Sequence, residues 1–267
     1  MQTFSRDEML SVVERSPTAA GAHDRDAWVG LFTADGIVND PVGSRPHAGR
    51  GEIERFYDTF IGPRNVTFHR NVDVVCGHTV VRDVELEVEM SAKVTMRVPV
   101  HIRYDLREVG KQLRIERLAA YWELPGMIAQ FMQSGIAAAP VSLHLSRALV
   151  KNQGLLGALG FAGGFRRVGA GAKATVANFM DAVATGDAAG AGRYLDREAA
   201  VTISGDDAGG QVWATALRGL RAHKYLAAGH TVAVGLEHDD WKGFGLFEFD
   251  SSRGPIKSVD VLIDPDA

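Results

Sequence analysis

The sequence has little of what several large classes of protein depend on. It contains a single cysteine, Cys76, so neither an intrachain disulfide nor a cysteine metal cluster can form. Its longest apolar tract, residues 154–165, is rich in glycine and shorter than the ~20 residues that cross a bilayer. There is no basic excess, since 29 Lys and Arg residues stand against 33 Asp and Glu residues. We therefore predict no nucleic-acid partner and no membrane span.

The first residues argue against a secreted protein, and the spacing of the histidines argues against a metal-binding protein. Residues 5–8 are polar where a signal peptide would be basic and then apolar, so we predict a cytoplasmic protein. Histidines at positions 223, 230 and 238 lie near acidic residues, but their spacing matches no metal-binding motif. A solvated loop accounts for them, and we predict no metal site.

Helical periodicity in the chain is followed by strand periodicity. Apolar residues recur at helical spacing after a capping box formed by Ser5 and Glu8, and Pro17 is expected to end or kink that helix. A further helix is predicted over residues 52–60. From Val94 to Leu106 apolar and polar residues alternate, as in a strand with one apolar face. Helices that precede a curved antiparallel sheet predict an α+β fold.

The pattern restarts in the second half of the chain. Residues 186–201 parallel residues 23–38 in the order of their residue types, and strand-like segments follow both. A tandem duplication is the simplest explanation. We predict two domains, residues 1–124 and residues 170–267, joined by a helical linker over residues 125–169.

The most informative motif is Asp40-Pro41-Val42-Gly43, which follows a short apolar strand. Proline cannot donate to a sheet and pushes the residue before it towards extended geometry. Asp40 is therefore held where a strand stops, as a fixed carboxylate facing a cavity would be. Taken alone, an aspartate before proline is also a common turn residue.

With its surroundings, this motif resembles the base-bearing segment of ketosteroid isomerases, members of the NTF2-like superfamily that includes SnoaL-like proteins. The resemblance extends to Trp28–Phe32, Gly49–Tyr57 and Ala120–Trp122, and it covers roughly residues 8–123. It implies two cone-shaped domains, each a curved antiparallel sheet wrapped by helices. It also implies an apolar pocket at one end of the cone, with neither cofactor nor metal.

The resemblance assigns roles to individual residues. Asp40 is the implied catalytic base, Tyr57 supports the hydrogen-bond network from behind, and Trp122 lies near the base. The remaining residues of the implied ligand pocket are Phe56, Ser16, Ile102 and Tyr104.

Two departures from the family concern the groups that stabilise the oxyanion. The family's principal oxyanion tyrosine falls on Ser16, and its protonated aspartic acid falls on Ile102, or on His101 if the register shifts by one. Alternation favours Ile102 pointing inward. The replacement donors that stay open are Tyr57, Tyr104, His101 and Ser16.

The implied reaction is the isomerisation of a double bond in a 3-ketosteroid or similar apolar carbonyl compound, with Asp40 as general base. Because both oxyanion groups are replaced, two alternatives stay open. One is a protein that binds a lipophilic ligand without chemistry, and the other is a related cofactor-free cyclase or dehydratase. In each case the expected partner is a small, apolar, steroid-like ligand.

The second domain lacks the equivalent of the base, because Ile203 stands where Asp40 stands in the first. We therefore predict no matching active site there. Its sheet is expected to pack on the first domain as an intramolecular pseudo-dimer, and a homodimer of the whole chain stays open beside it.

Overall fold

The computed structural model describes residues 4–91, 94–133, 151, 168–209, 212–252 and 254–267. The chain divides into two compact units, Met1–Asp73 with His78–Phe165 and Val74–Gly77 with Arg166–Ala267. The predicted linker over residues 125–169 falls mostly on residues 134–150 and 152–167, which lie outside the described residues. The proposed domain limits therefore stay a prediction.

Helix α1, Arg6–Gly21, begins at the predicted capping box. The Ser5 amide donates to Glu8 Oε2 at 2.7 Å, and the Glu8 amide donates to Ser5 Oγ at 3.2 Å. The helix continues through Pro17, so it does not end there. The buried face of the helix runs on from Val13 to Ala20 across this position, and its packing offsets the missing proline donor.

The other helices of the first unit are short. They are α2 (Arg25–Val29), α3 (Arg50–Phe56) and α4 (Leu124–Gln133), and α3 continues directly into a π-helical segment, Tyr57–Ile61. Asp24 caps α2 by accepting a hydrogen bond from the Ala27 amide at 2.9 Å.

Six strands form the sheet of the first unit. They are β1 (Phe32–Asn39), β2 (His47–Ala48), β3 (Asn65–Cys76), β4 (Thr79–Ser91), β5 (Val94–Val109) and β6 (Gln112–Tyr121). Their order across the sheet is β2-β1-β6-β5-β4-β3. Strand β5 pairs antiparallel with β4 and β6, whereas β1 runs parallel to β6. The sheet is therefore mixed rather than antiparallel throughout, because β6 pairs with β1 only after the chain has crossed to the far edge and returned.

The second unit repeats this arrangement. Its helices are α5 (Ala170–Thr185), α6 (Ala188–Gly192) and α7 (Val212–Ala216). Its strands are β7 (Leu195–Ile203), β8 (Asp206–Asp207), β9 (Arg221–Ala228), β10 (Thr231–Glu237), β11 (Lys242–Phe249) and β12 (Ile256–Asp264). The order β8-β7-β12-β11-β10-β9 is the same as in the first sheet, and β7 again runs parallel to β12. The predicted α+β fold with tandem domains is confirmed.

Aromatic side chains fill the interior of the second unit. The ring of Phe179 lies 5.5 Å from that of Trp213 and 5.8 Å from that of Phe247, between ring centroids, and all three side chains are buried. Ile203, at the end of β7, packs against the same core. In the first unit the corresponding strand, β1, is followed by the acidic residue Asp40. In the second unit the equivalent position is thus occupied by an apolar residue that packs on the core.

Candidate functional site

A cavity of about 160 Å³ lies within the first unit, between the sheet and the helices. Most of its wall is apolar, formed by side chains from the π-helical segment and from β3, β4, β5 and β6. The polar groups on the wall are Ser16, Asp40, Arg64 and Tyr104, together with the indoles of Trp28 and Trp122. A largely apolar cavity with a few polar groups is the usual form of a small-molecule site.

The parallel pairing of β1 and β6 brings Asp40 next to Trp122. Asn39, the last residue of β1, pairs with Ala119 of β6. The Val42 amide then donates to the Ala120 carbonyl at 2.9 Å, which fixes the turn after the cis Asp40–Pro41 peptide bond. Both strands therefore leave the sheet at the same end, where the two side chains meet.

Trp122 holds one oxygen of the Asp40 carboxyl group. Its indole Nε1 donates to Asp40 Oδ1 at 2.6 Å. In the part of the chain that the structure describes, Oδ2 has no hydrogen-bond partner. Burial by the surrounding wall raises the pKa of Asp40 from 3.8 to about 6, and the Trp122 bond opposes that rise. Asp40 is thus an oriented carboxylate with one free oxygen and a pKa suited to accepting a proton near neutral pH.

A hydrogen-bond chain runs from Trp28 through Ser16 to Tyr104. Trp28 Nε1 donates to Ser16 Oγ at 3.2 Å, and the Ser16 side chain bonds the Tyr104 hydroxyl. The interaction with Ser16 lowers the pKa of Tyr104. Because an indole N–H can only donate, Ser16 accepts the hydrogen bond from Trp28. Ser16 thus links the Trp28 indole to the hydroxyl of Tyr104 on the cavity wall.

Tyr104 stays a neutral donor. It is 1% exposed, and burial raises its pKa to about 12. The guanidinium of Arg82 opposes this rise from its own buried site, where it donates to Asp73 at 2.7 and 2.9 Å. A neutral hydroxyl with a fixed cation nearby is suited to stabilise negative charge that develops on a ligand oxygen.

Five of the predicted pocket residues share the cavity wall with Asp40. They are Ser16, Phe56, Ile102, Tyr104 and Trp122. The inward direction of Ile102 agrees with the alternation of β5. His101, one position earlier, belongs to the other face of the strand and is fully buried there, so it is not a donor to the cavity.

Tyr57, the remaining residue of the predicted pocket, is not part of this cavity wall. Its ring centroid lies 5.6 Å from that of Trp28, and its buried hydroxyl has no hydrogen-bond partner among the described residues. Tyr57 is the first residue of the π-helical segment. Phe56 and Phe60 remain on the cavity side.

The sequence pattern does not indicate two of the polar groups on the cavity wall. It places Trp28 only in a helix, although the indole begins the chain to Tyr104. Arg64 follows a Gly-Pro pair in a connecting segment, and no periodic pattern there indicates a side chain on the cavity wall.

The described residues contain no group of three or more His, Cys, Asp and Glu side chains placed to hold a metal ion. Within the same residues, no helix combines the length and the apolar character that crossing a membrane requires.

Residues 13–115 match the family model described as the SnoaL-like domain. The matched residues run from α1 to β6 and include Ser16, Asp40, Arg64 and Tyr104. The first unit contains a SnoaL-like domain. Trp122 lies just beyond the matched residues, at the end of the last strand of this SnoaL-like sheet.

Several solved structures resemble part of this chain. A Mycobacterium tuberculosis protein solved in complex with estradiol-17beta-hemisuccinate is 22% identical over 44% of this chain and 95% of its own, with a TM-score of 0.41. A delta 5-3-ketosteroid isomerase from Mycobacterium sp. is 21% identical over 44% and 95%, with the same TM-score of 0.41. An epoxide hydrolase/cyclase-like enzyme with a role in pyran ring formation in the polyether salinomycin is 17% identical over 45% and 95%, also at 0.41. Likenesses this low transfer neither a reaction nor a ligand to this chain.

Proposed function

We propose that the first unit catalyses proton transfer next to a carbonyl group, as in the isomerisation of a β,γ-unsaturated 3-ketosteroid or a similar apolar ketone. The observation that carries the proposal is the pairing of Asp40, with its raised pKa and one free oxygen, with a hydroxyl donor on the same apolar cavity. A SnoaL-like fold agrees with such chemistry but hosts other functions as well.

In the proposed reaction Asp40 Oδ2 removes a proton from the carbon between the ketone and the double bond. The electrons of that C–H bond move into the conjugated system, and a dienolate forms with its negative charge on the ketone oxygen. The protonated Asp40 then returns the same proton two carbons further on, so that an α,β-unsaturated ketone leaves. No group outside the substrate and Asp40 gains or loses a proton.

Tyr104 is the proposed donor to the oxygen of the dienolate. In the proposed arrangement Ser16 donates its proton to Tyr104, which leaves the Tyr104 hydroxyl proton for the ligand. The two positions where the family carries its oxyanion groups are occupied by Ser16 and Ile102. The proposed site thus keeps a tyrosine donor but takes it from β5, with Ser16 as the link that orients it.

The direct test is turnover by the full-length protein. A β,γ-unsaturated 3-ketosteroid should be converted to its conjugated isomer, followed by the ultraviolet absorbance of the enone. Heat-denatured protein and the solvent rate serve as controls. Absence of turnover above the solvent rate, in a protein that binds the conjugated product, would contradict the proposed reaction.

A ligand-binding protein without catalysis is the second candidate function. The mostly apolar wall favours it, because such a wall binds a lipophilic molecule with or without chemistry. In that case the affinity for a steroid would be unchanged by replacement of Asp40, and no substrate of the ketone class would turn over. A cyclase or dehydratase using the same carboxylate would instead lose activity with Asp40 but show no double-bond isomerisation.

The pH dependence follows from the raised pKa of Asp40. A general base must be ionised, so kcat/KM should rise with pH around a midpoint near 6 and level off above about pH 7. Trp122→Phe removes the N–H that lowers this pKa, so the midpoint should move to higher pH. Initial rates between pH 4.5 and 9 measure both profiles, and coincident midpoints would show that Trp122 does not act on the titrating group.

A further inference from the structure

Arg64 places a guanidinium group on the otherwise apolar part of the cavity wall. It lies between the π-helical segment and β3, and its Nη1 donates to the carbonyls of Thr59 and Phe60 at 2.8 and 2.9 Å. These two bonds hold the side chain in place at the end of the helical segment. In the described part of the chain, Nε and Nη2 of Arg64 have no hydrogen-bond partner, so they are open to a ligand.

No carboxylate of the protein compensates this cation. All 33 Asp and Glu residues of the chain are among the described residues, and none of their ion pairs includes Arg64. By contrast, Arg82 of the same unit pairs with Asp73 at 2.7 Å. Burial alone acts on the pKa of Arg64, which it lowers. A partly desolvated guanidinium without a counter-ion is unfavourable, and an anionic ligand group would remove that penalty.

Arg64 and Asp40 lie towards opposite edges of the sheet. Asp40 follows β1, whereas Arg64 directly precedes β3, the edge strand on the far side. Four strand spacings separate β1 from β3, about 19 Å along the sheet, and curvature shortens the direct path. Both side chains nevertheless border one cavity. An elongated ligand can therefore meet the carboxylate at one end and the guanidinium at the other.

We propose that the ligand of this cavity carries a carboxylate that pairs with Arg64, at the end opposite the carbon on which Asp40 acts. The ligand class is thus an elongated, apolar keto acid rather than a neutral ketone. The planar fork of arginine matches a carboxylate through two parallel hydrogen bonds, which favours this anion at the site. The direction of the ligand rests on the proposed function, whereas the carboxylate site rests on Arg64 alone.

Binding of a matched pair of probes tests the proposal. One probe is a conjugated 3-oxosteroid with a carboxylate on its far ring, and the other is the methyl ester of the same compound. Neither probe is a substrate for isomerisation, so calorimetry or quenching of tryptophan fluorescence reports affinity only. We expect the wild-type protein to bind the acid about tenfold to a hundredfold more tightly than the ester, the range for a hydrogen bond to a charged group.

Three variants locate the effect. Arg64→Met should remove the difference between acid and ester, and Arg64→Lys should retain part of it, because the charge stays but the fork is lost. Arg114→Met is the matched control, since Arg114 also donates to a backbone carbonyl, that of Gly30 at 2.7 Å, but does not line the cavity. This control should leave the ratio unchanged. Thermal unfolding of each variant checks that it is folded.

The outcomes separate this proposal from the proposed reaction. Equal affinity of the wild-type protein for acid and ester would overturn the carboxylate site, whether or not ketones turn over, and this comparison needs no variant. A preference for the acid that survives in Arg64→Met would overturn the role of Arg64. A preference for the acid that disappears in Arg64→Met, in a protein without turnover, would support the carboxylate site and contradict only the reaction.

Discussion

Replacing Asp40 by asparagine should lower kcat for a β,γ-unsaturated ketone by about 10³-fold or more, and affinity for the conjugated product should be retained. The amide keeps the shape of the side chain and can accept from Trp122, but it cannot take the proton. A positioned general base contributes about 10²–10⁴-fold to the rate, and no other carboxylate lines the cavity among the described residues. Steady-state rates and product binding, measured on the same preparation, test the expectation.

The same substitution should stabilise the protein above neutral pH. The pKa of Asp40 is raised from 3.8 to about 6 in the folded state. Ionisation of this carboxyl group therefore costs more free energy in the folded protein than in the unfolded chain, and the difference destabilises the fold. The resulting penalty is absent below about pH 4 and complete above about pH 7, where it reaches at most about 3 kcal/mol. Asp40→Asn should therefore raise the midpoint of thermal unfolding at pH 8 but not at pH 4.

Asp35→Asn provides the matched control for both measurements. Asp35 lies in the same strand, β1, but it is exposed, and its hydrogen bond with Arg107 lowers its pKa. Its replacement should leave turnover unchanged and should not stabilise the protein at pH 8. If Asp35→Asn and Asp40→Asn had the same effect on turnover or on stability, the special status of Asp40 would be contradicted.

Replacing Tyr104 by phenylalanine should lower kcat by about 10²–10³-fold with little change in KM. The substitution removes one hydroxyl from a buried ring and leaves its packing in place. Loss of one donor to a developing oxyanion typically has this effect, because the donor acts mainly when the charge forms. Ser16→Ala should give a smaller loss, since it removes the group that orients Tyr104 but not the donor itself. Initial-rate kinetics at saturating substrate measures both.

Tyr57→Phe is the control for this second experiment. Tyr57 is also a buried tyrosine of the first unit, but it does not line the cavity, and its hydroxyl has no hydrogen-bond partner among the described residues. Its removal should leave kcat unchanged and should not destabilise the fold. A larger loss of activity in Tyr57→Phe than in Tyr104→Phe would reverse the assignment of the donor.

The sequence predicts the elements of this site better than the contacts between them. The alternation of apolar and polar residues along β5 predicts that Ile102 and Tyr104 point inward. The proline after Asp40 predicts that β1 ends there. The meeting of Asp40 with Trp122 depends on a parallel pairing between strands far apart in the chain, for which the local pattern gives no register. Helical periodicity also puts Tyr57 on one face with Phe56 and Phe60, but only the latter two line the cavity.

The hydrogen-bond chain to Tyr104 shows a second limit of the same kind. A comparison position by position reads Ser16 as a lost tyrosine, because it compares each residue with its counterpart only. In the structure Ser16 acts together with Trp28 and Tyr104, which lie on two other elements. The sequence gives no sign that Arg64 lines the cavity, because an arginine in a connecting segment is ordinarily solvated.

The two sheets of this chain have one strand order and two different interiors. In the second unit the rings of Phe179, Trp213 and Phe247 pack together between the helices and the sheet, whereas in the first unit this region contains a cavity edged by a carboxyl group and a guanidinium. One strand order is therefore compatible with a cluster of rings and with a cavity. Backbone hydrogen bonds fix the order of the strands, and the volume of the side chains determines what lies beneath them.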